Sequence, residues 1–190
     1  MNKQQINTIT TVLSVMEGAK LQNVRREGFT MLLELGDLFE REITVETENE
    51  KQEKKTLKIA PYTLHIDCDF RMICNSKVII GRTDVYAPTS KHLENEDFDW
   101  GCFDWDTEEG NRFDELLPKY FSDDFSEYII GKISVNKFGD LKIKFLNGFE
   151  FEAYIDTSGN DECWSFFETG NNGKPHLVVS GKGIEKDIED

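Results

Sequence analysis

The sequence predicts an α+β fold that is mostly antiparallel β-sheet, with one helix at the N-terminus and another in the middle of the chain. Three observations support this prediction. Apolar residues recur at helical spacing from Ile6 to Met16 and again from Phe113 to Phe121. Apolar and polar residues alternate over residues 62–72, as in a half-buried strand. Short strand-like runs fill the last third of the chain, which favours a sheet segregated from the helices.

The first sixty residues contain the N-terminal helix and three strand candidates. Gly18 is placed to end the helix, and a strand is expected between Gly28 and Gly36. Two further strand ends, Ile43–Val45 and Leu57–Ile59, flank the charged run ETENEKQEKK. We expect that run to be a solvated hairpin tip or a flexible loop and not a binding tail.

The alternating run over residues 62–72 predicts one strand, and Asn75-Ser76 predicts a turn into a returning strand over Val78–Tyr86. One face of the first strand is apolar, and the other carries His65, Asp67, Asp69 and Arg71. A two-residue loop would place Asp69 opposite Arg82 and Asp67 opposite Asp84. Together these strands carry six polar residues around His65, namely His65, Asp67, Asp69, Arg71, Arg82 and Asp84.

The last third predicts five strands and one well-defined hairpin. The expected strands are 128–135, 141–145, 149–155, 162–167 and 176–180. A two-residue turn on Asn147-Gly148 would mix apolar and charged residues on both faces of the hairpin. A three-residue loop, residues 146–148, instead pairs Phe145 with Phe149 and places lysines opposite glutamates on the other face. We therefore predict the three-residue loop and a scaffold role for this hairpin.

Length and charge limit the class of protein. The chain has 190 residues and is predicted to form a single domain, 1–190, with an acidic aromatic insertion at about 90–110. With 37 acidic and 22 basic residues, the formal net charge is −15. Such a charge repels nucleic acid and anionic membranes and attracts basic proteins. The alternative is that the acidity only maintains solubility.

Localisation is predicted from what the sequence lacks. The N-terminal residues have neither a continuous apolar core nor a small-residue cleavage site, and no stretch approaches the roughly 20 apolar residues that span a bilayer. The four cysteines form no CxxC pair, which indicates reduced thiols and no metal site. We therefore expect a cytoplasmic protein that does not interact with membranes.

Two groups of residues are weak candidates for chemistry. The six polar residues around His65 could form a general-base site, but no nucleophile motif accompanies them, so structural ion pairs on a strand face are favoured. Asp104-x-Asp106-x-Glu108 resembles the start of a calcium loop, but the required glycine and the final glutamate are misplaced. We predict no catalytic residue, no metal and no cofactor.

The strongest candidate for a binding surface is the stretch EDFDWGCFDWDTEEG, residues 96–110. It contains Phe-Asp-Trp twice, and no lysine or arginine occurs between Lys91 and Arg112. Aromatic anchors bury a large area at interfaces, and surrounding carboxylates accelerate association with a basic surface. Alternatively, the aromatic residues pack inward beneath a solvated acidic loop, or one tryptophan is buried and the other exposed. The predicted contact residues are Asp97, Asp99, Trp100, Asp104, Trp105, Asp106, Glu108 and Glu109.

Several short motifs resemble those of a family of small, uncharacterised bacterial proteins. They are Tyr62-x-Leu64-His65-Ile66-x-Cys68-x-x-Arg71 followed by Gly81-x-x-Asp84, then Gly139-Asp140-Leu141-x-Ile143-x-Phe145, Glu162-x-Trp164-x-Phe166-Phe167 and Leu177-Val178-Val179-x-Gly181-x-Gly183. The family has tryptophan where this chain has Phe70. The resemblance covers the chain outside residues 90–110. It implies a single-domain α+β protein, and some members resemble the immunity proteins that accompany bacterial toxins.

These observations predict a cytoplasmic, non-enzymatic protein that neutralises a basic partner, such as a toxin domain. The alternative is a phage or host regulatory protein whose carboxylates imitate DNA phosphates and occupy a nucleic-acid-binding protein. A third class, a hydrolase that uses His65, requires the polar residues to line a pocket. An inhibitory loop needs projecting aromatic side chains, whereas a DNA mimic needs carboxylates along an exposed ridge.

Overall fold

A computed structural model describes residues 1–46, 52–107, 110–121, 125–169 and 176–185. The N-terminal helix, α1, spans Lys3–Leu13, and its first turn is closed by a capping box between Asn2 and Gln5. A 3-10 turn over Ser14–Met16 continues it, and Gly18 follows with φ +85°. The other helices are α2 (Ser90–Leu93) and α3 (Arg112–Tyr120), with 3-10 turns at Arg82–Tyr86 and Trp100–Cys102. The predicted N-terminal and central helices are thus confirmed.

The strands of the described residues form two large antiparallel sheets and one separate hairpin. The first sheet has the order β1-β2-β5-β11-β12-β13, the second β7-β6-β10-β9-β8, and the hairpin is β3-β4. This arrangement confirms the predicted α+β class. The strand bounds are β1 Leu21–Glu27, β2 Thr30–Leu35, β3 Phe39–Glu46, β4 Gln52–Ile59, β5 Tyr62–Ile66, β6 Asp69–Cys74, β7 Lys77–Gly81, β8 Ile130–Val135, β9 Leu141–Phe145, β10 Glu150–Tyr154, β11 Glu162–Glu168, β12 Leu177–Ser180 and β13 Gly183–Ile184.

The predicted single strand over residues 62–72 is wrong, because this segment is two strands in different sheets. β5 pairs with β2 and β11 in the first sheet, whereas β6 pairs with β10 and β7 in the second. The backbone N–H groups of Asp67 and Cys68 both donate to the Cys163 carbonyl, at 2.8 and 3.0 Å, where the chain passes between the sheets. Alternation continues through the crossing because both sheets bury the same face in a common core. Its buried residues here are Leu64, Ile66, Cys68, Phe70 and Met72.

The predicted returning strand is also too long. Asn75 and Ser76 form the expected two-residue turn, with φ of 50° and 60°, and Cys74 pairs with Lys77. The returning strand β7 ends at Gly81, however, and residues 82–86 form a 3-10 turn. Asp84 sets this boundary, because its carboxylate accepts the Gly81 N–H at 2.8 Å.

The hairpin β9–β10 has the predicted register. Ile143 pairs with Phe151, Lys144 with Glu150 and Lys142 with Glu152. The loop is closed by the Phe145 N–H, which donates to the Phe149 carbonyl at 2.9 Å, and Gly148 adopts φ +85°. The three-residue loop is therefore confirmed, and its scaffold role stays a prediction.

Both sheets contribute to one hydrophobic cluster, and α1 buries Ile9 and Leu13 in it. Trp164, which is fully buried, donates its indole N–H to the Gly139 carbonyl at 2.9 Å. The two sheets also meet where a bridge pairs Lys20 with Ile129 at the starts of β1 and β8. The sheets therefore form a connected body. Helix α3 packs on it against β7 and against the 3-10 turn Arg82–Tyr86.

Candidate functional site

The acidic aromatic segment, defined here as residues 94–110, belongs to a loop whose two ends are tied together. A β-bridge joins Pro88 to Asn111, and the Arg112 N–H donates to the Ala87 carbonyl at 2.8 Å. The Ser90 N–H donates to the Glu115 carboxylate of α3 at 2.7 Å. Closing both ends of a loop on rigid elements lowers the entropy that its residues lose when they bind a partner.

The C-terminal half of the segment is anchored to the body of the protein. Trp105 is half-buried, packs against the hydrophobic core and meets the Tyr86 ring at 4.9 Å. Its carbonyl accepts the side-chain N–H of Asn111, at 2.8 Å, and Asn111 is fully buried. Asn111 also caps α3 by accepting the Asp114 N–H at 3.0 Å, so one side chain fixes both the helix and the loop.

Arg26 of β1 holds the same half of the segment electrostatically. Its guanidinium bonds Asp106 at 2.9 Å, the Thr107 carbonyl at 3.1 Å and both carboxylate oxygens of Asp114, at about 2.7–2.8 Å for the shorter contacts. The Asp114 hydrogen bond, despite burial, raises the pKa of Arg26. Asp106 is therefore half-exposed but already paired, and its role is to attach the loop.

The N-terminal half of the segment, residues 94–104, is mostly exposed and contains a group of neighbouring aromatic rings. Phe98 lies 5.3 Å from Trp100 and 5.9 Å from Phe103, and His92 lies 5.5 Å from Phe98. Trp100 keeps 64% of its surface exposed. Because Asp99 accepts the Gly101 N–H at 2.9 Å, it caps the 3-10 turn that carries Trp100. That hydrogen bond, followed by one from the Cys102 thiol, lowers the pKa of Asp99.

The carboxylates of this half have no ion-pair partner in the part of the chain that the structure describes. Asp97, Asp99 and Asp104 are exposed, and none forms an ion pair within the described ranges. They line a hollow of about 420 Å³ together with His92, Phe98 and Phe103. Glu108 and Glu109, which were also predicted to contact a partner, lie outside the described residues.

The two Phe-Asp-Trp copies therefore have different environments. Trp105 in the second copy points to the core, and Trp100 in the first points to solvent. The described part of the acidic aromatic segment thus contains a structural half and an exposed half. Sequence alone left these possibilities open, because the repeat gives no indication that Arg26, 80 residues away from Asp106, and the buried Asn111 hold only the second copy.

The six polar residues around His65 do not form one group. Because β5 and β6 belong to different sheets and β7 ends at Gly81, the predicted pairings of Asp69 with Arg82 and of Asp67 with Asp84 are wrong. The residues have separate partners. Asp67 accepts the Thr30 hydroxyl, the Asp69 N–H donates to Asp156, Arg71 bonds Glu152, Arg82 bonds the Phe29 carbonyl, and Asp84 bonds Arg112 and the Gly81 N–H.

His65 lies on the face of the first sheet opposite to that of Leu64 and Ile66, with its ring 4.4 Å from that of Phe167. Burial lowers its pKa, although Glu162 and Asp67 partly oppose this. Its cross-strand neighbour Ser165 is fully buried, with no hydrogen-bond partner for its hydroxyl among the described residues. No hydrogen bond joins the His65 ring to a carboxylate in that part of the chain, and the absence of a catalytic role stays a prediction.

Comparison with protein-family models, with curated proteins and with solved structures finds no significant match to this chain. None of the helices in the described ranges is long and apolar enough to cross a membrane. Across the same ranges, no three metal-binding side chains converge. The four cysteines of the chain all lie within these ranges and are free thiols.

Proposed function

We propose that this protein binds a basic protein through the N-terminal half of the acidic aromatic segment and thereby neutralises that protein. The observation that carries the proposal is Trp100, which is 64% exposed beside the carboxylates of Asp97, Asp99 and Asp104. Tryptophan is enriched among the few residues that supply most of the binding energy at interfaces. Unpaired carboxylates around it attract a basic surface and orient it during association.

The local structure suits a preformed contact surface. The ends of the loop are tied at Pro88 and Asn111, Asp99 caps the turn beneath Trp100, and neighbouring rings support the indole. Little ordering would then be needed on binding. The net charge of −15 extends the attraction beyond the contact itself.

The specific form of this proposal is a cytoplasmic immunity protein that inhibits a toxin domain. It rests on the charge and on the family resemblance of the motifs from Tyr62 to Gly183. A DNA mimic is the competing form. An aromatic side chain that projects from a closed loop favours an inhibitory contact, because a mimic would present carboxylates along a ridge without a central apolar anchor.

The test compares two tryptophan variants against a partner isolated by crosslinking from the native cytoplasm. Trp100→Ala is expected to weaken binding by about 30-fold or more, which corresponds to about 2 kcal/mol, with an unchanged melting temperature. Trp105→Ala is the matched control and is expected to lower the melting temperature, because its ring packs against the core. If Trp100→Ala leaves affinity unchanged, the proposed anchor is wrong.

The electrostatic part is tested separately. Asp97→Asn, Asp99→Asn and Asp104→Asn remove charge while keeping side-chain oxygens that accept the Gly101 and Asp106 N–H groups. The combined variant is expected to slow association several-fold. Raising salt from about 0.05 to 0.5 M shortens the Debye length about threefold and should slow the parent protein similarly. An association rate that does not respond to salt would remove steering from the proposal.

A further inference from the structure

A second exposed aromatic group lies beside the acidic aromatic segment. The Arg82 guanidinium carbon is 5.4 Å from the Phe29 ring centroid and 5.7 Å from that of Tyr86. The same group donates to the Phe29 carbonyl at 2.6 Å and to the Tyr86 hydroxyl at 3.3 Å. We name Phe29, Arg82 and Tyr86 the arginine clamp, because two rings hold one guanidinium in place.

Arg82 differs from other arginines of this acidic chain. Arg25, Arg26, Arg71 and Arg112 each lie within ion-pair distance of a carboxylate. Arg82 forms no such pair in the ranges that the structure describes, and neither does Arg41 of β3, but only Arg82 of these two lies over aromatic rings there. A guanidinium has five N–H donors, and two of those on Arg82 have the protein acceptors named above. The remaining donors have no protein acceptor among the described residues.

The two rings of the arginine clamp are exposed, and the clamp lies against the anchored half of the acidic aromatic segment. Phe29 and Tyr86 are 49% and 42% exposed, and Tyr86 touches Trp105 of the acidic aromatic segment. Arginine and aromatic side chains are the types most enriched at interface hot spots. A guanidinium matches the two oxygens of a carboxylate, which it can bind through two parallel hydrogen bonds.

We propose that Arg82 binds an acidic side chain on the surface of the basic partner protein. This inference rests on the proposed function, since it places one reversed charge beside the anchored half of the segment that carries the contact surface. Its consequence is selectivity. A uniformly basic surface would be repelled by Arg82, whereas a basic surface with a correctly placed aspartate or glutamate would gain a charge-assisted pair.

The first experiment follows the Arg82 Nε–H resonance of the ¹⁵N-labelled full chain during titration with N-acetylglutamate amide. N-acetylglutamine amide, which has nearly the same shape without the charge, is the control probe. The Arg82 signal is expected to shift saturably, and about threefold more with the glutamate probe. Arg71 is the internal control, because its Nε–H is already bonded to Glu152 at 2.6 Å. Equal shifts with both probes, or equal shifts at both arginines, would overturn the proposal.

The second experiment measures repulsion with poly-lysine as the probe. Arg82→Gln is expected to raise affinity for poly-lysine about threefold, and Arg41→Gln, an equal change of net charge on β3, is expected to raise it less. Equal gains would mean that Arg82 acts only through net charge, contrary to the proposal. Neither experiment uses Trp100, so failure of its anchor role and failure of the arginine clamp are distinguishable.

Discussion

Replacing Glu152 by glutamine should destabilise the protein by about 2 kcal/mol at neutral pH. Glu152 is 8% exposed and accepts hydrogen bonds from Arg71 at 2.6 Å, from Lys142 at 2.7 Å and from the Tyr154 hydroxyl. Breaking a fully buried ion pair costs about 3–5 kcal/mol. Because Arg71 and Lys142 keep 46% and 34% of their side chains exposed, water can solvate them after the change, so we expect a smaller loss.

The pH dependence gives this prediction a second signature. Burial alone would raise the pKa of Glu152, but the hydrogen bonds from Lys142, Tyr154 and Arg71 outweigh it and hold the pKa at about 2. The folded-state pKa is thus below the ordinary value of 4.5. The ionised carboxylate therefore stabilises the fold above about pH 4.5, and its contribution is lost as the pH falls towards 2. The difference between parent and variant should shrink over that interval.

The assay is urea unfolding at several pH values for the parent, Glu152→Gln and Glu150→Gln. Glu150 bonds the same Lys142 but is more exposed, so its replacement should change the free energy of unfolding by no more than about 0.5–1 kcal/mol. A loss below about 0.5 kcal/mol for Glu152→Gln, or a difference from the parent that does not change between pH 5 and 2, would refute the reasoning.

Three further predictions concern single positions. Gly148→Ala should cost about 1 kcal/mol in urea unfolding through backbone strain alone, since φ is +85° and no atom lies within 4 Å of an added Cβ; Gly148→Asn, which tolerates this conformation better, should cost less. Asn111→Ala should cost about 2 kcal/mol and increase hydrogen exchange around Trp105; Asn111→Asp retains the acceptor that caps α3, but it buries a carboxylate against the Trp105 carbonyl and should cost at least as much. Because burial lowers the pKa of His65, the unfolded chain binds its proton more readily, and stability should fall as the pH drops below about 6.5; His65→Gln should flatten the unfolding midpoint between pH 7 and 5, and an unchanged slope would contradict this.

The sequence predicted those elements whose stabilising contacts are local. The β9–β10 hairpin is the clearest case, because its loop length follows from which of two registers separates Phe145 and Phe149 from Lys144 and Glu150. The N-terminal helix likewise follows from the spacing of its apolar residues, and the structure adds the Asn2 cap at its start. In both, neighbours in the chain are also neighbours in space.

Elements that depend on distant contacts were missed or misjudged. β1, with the sequence LQNVRRE, has little strand character, and it forms because β2 pairs along its length. The break between β5 and β6 is invisible in the pattern, since alternation continues while hydrogen-bond partners change. A period of two reports which face is buried but not which sheet a strand belongs to.

The two halves of the acidic aromatic segment explain why aromatic and acidic residues occur together in it. Trp105 and Asp106 are held by the core and by Arg26, so that their aromatic and acidic character serves the fold. Attachment at that end positions the turn that carries Trp100. The carboxylates near this turn have no ion-pair partner among the described residues. Anchoring one copy of Phe-Asp-Trp is therefore what allows the other copy to remain exposed in a defined geometry. A variant that releases the anchor, such as Asp106→Asn, should consequently weaken partner binding without touching the contact surface itself.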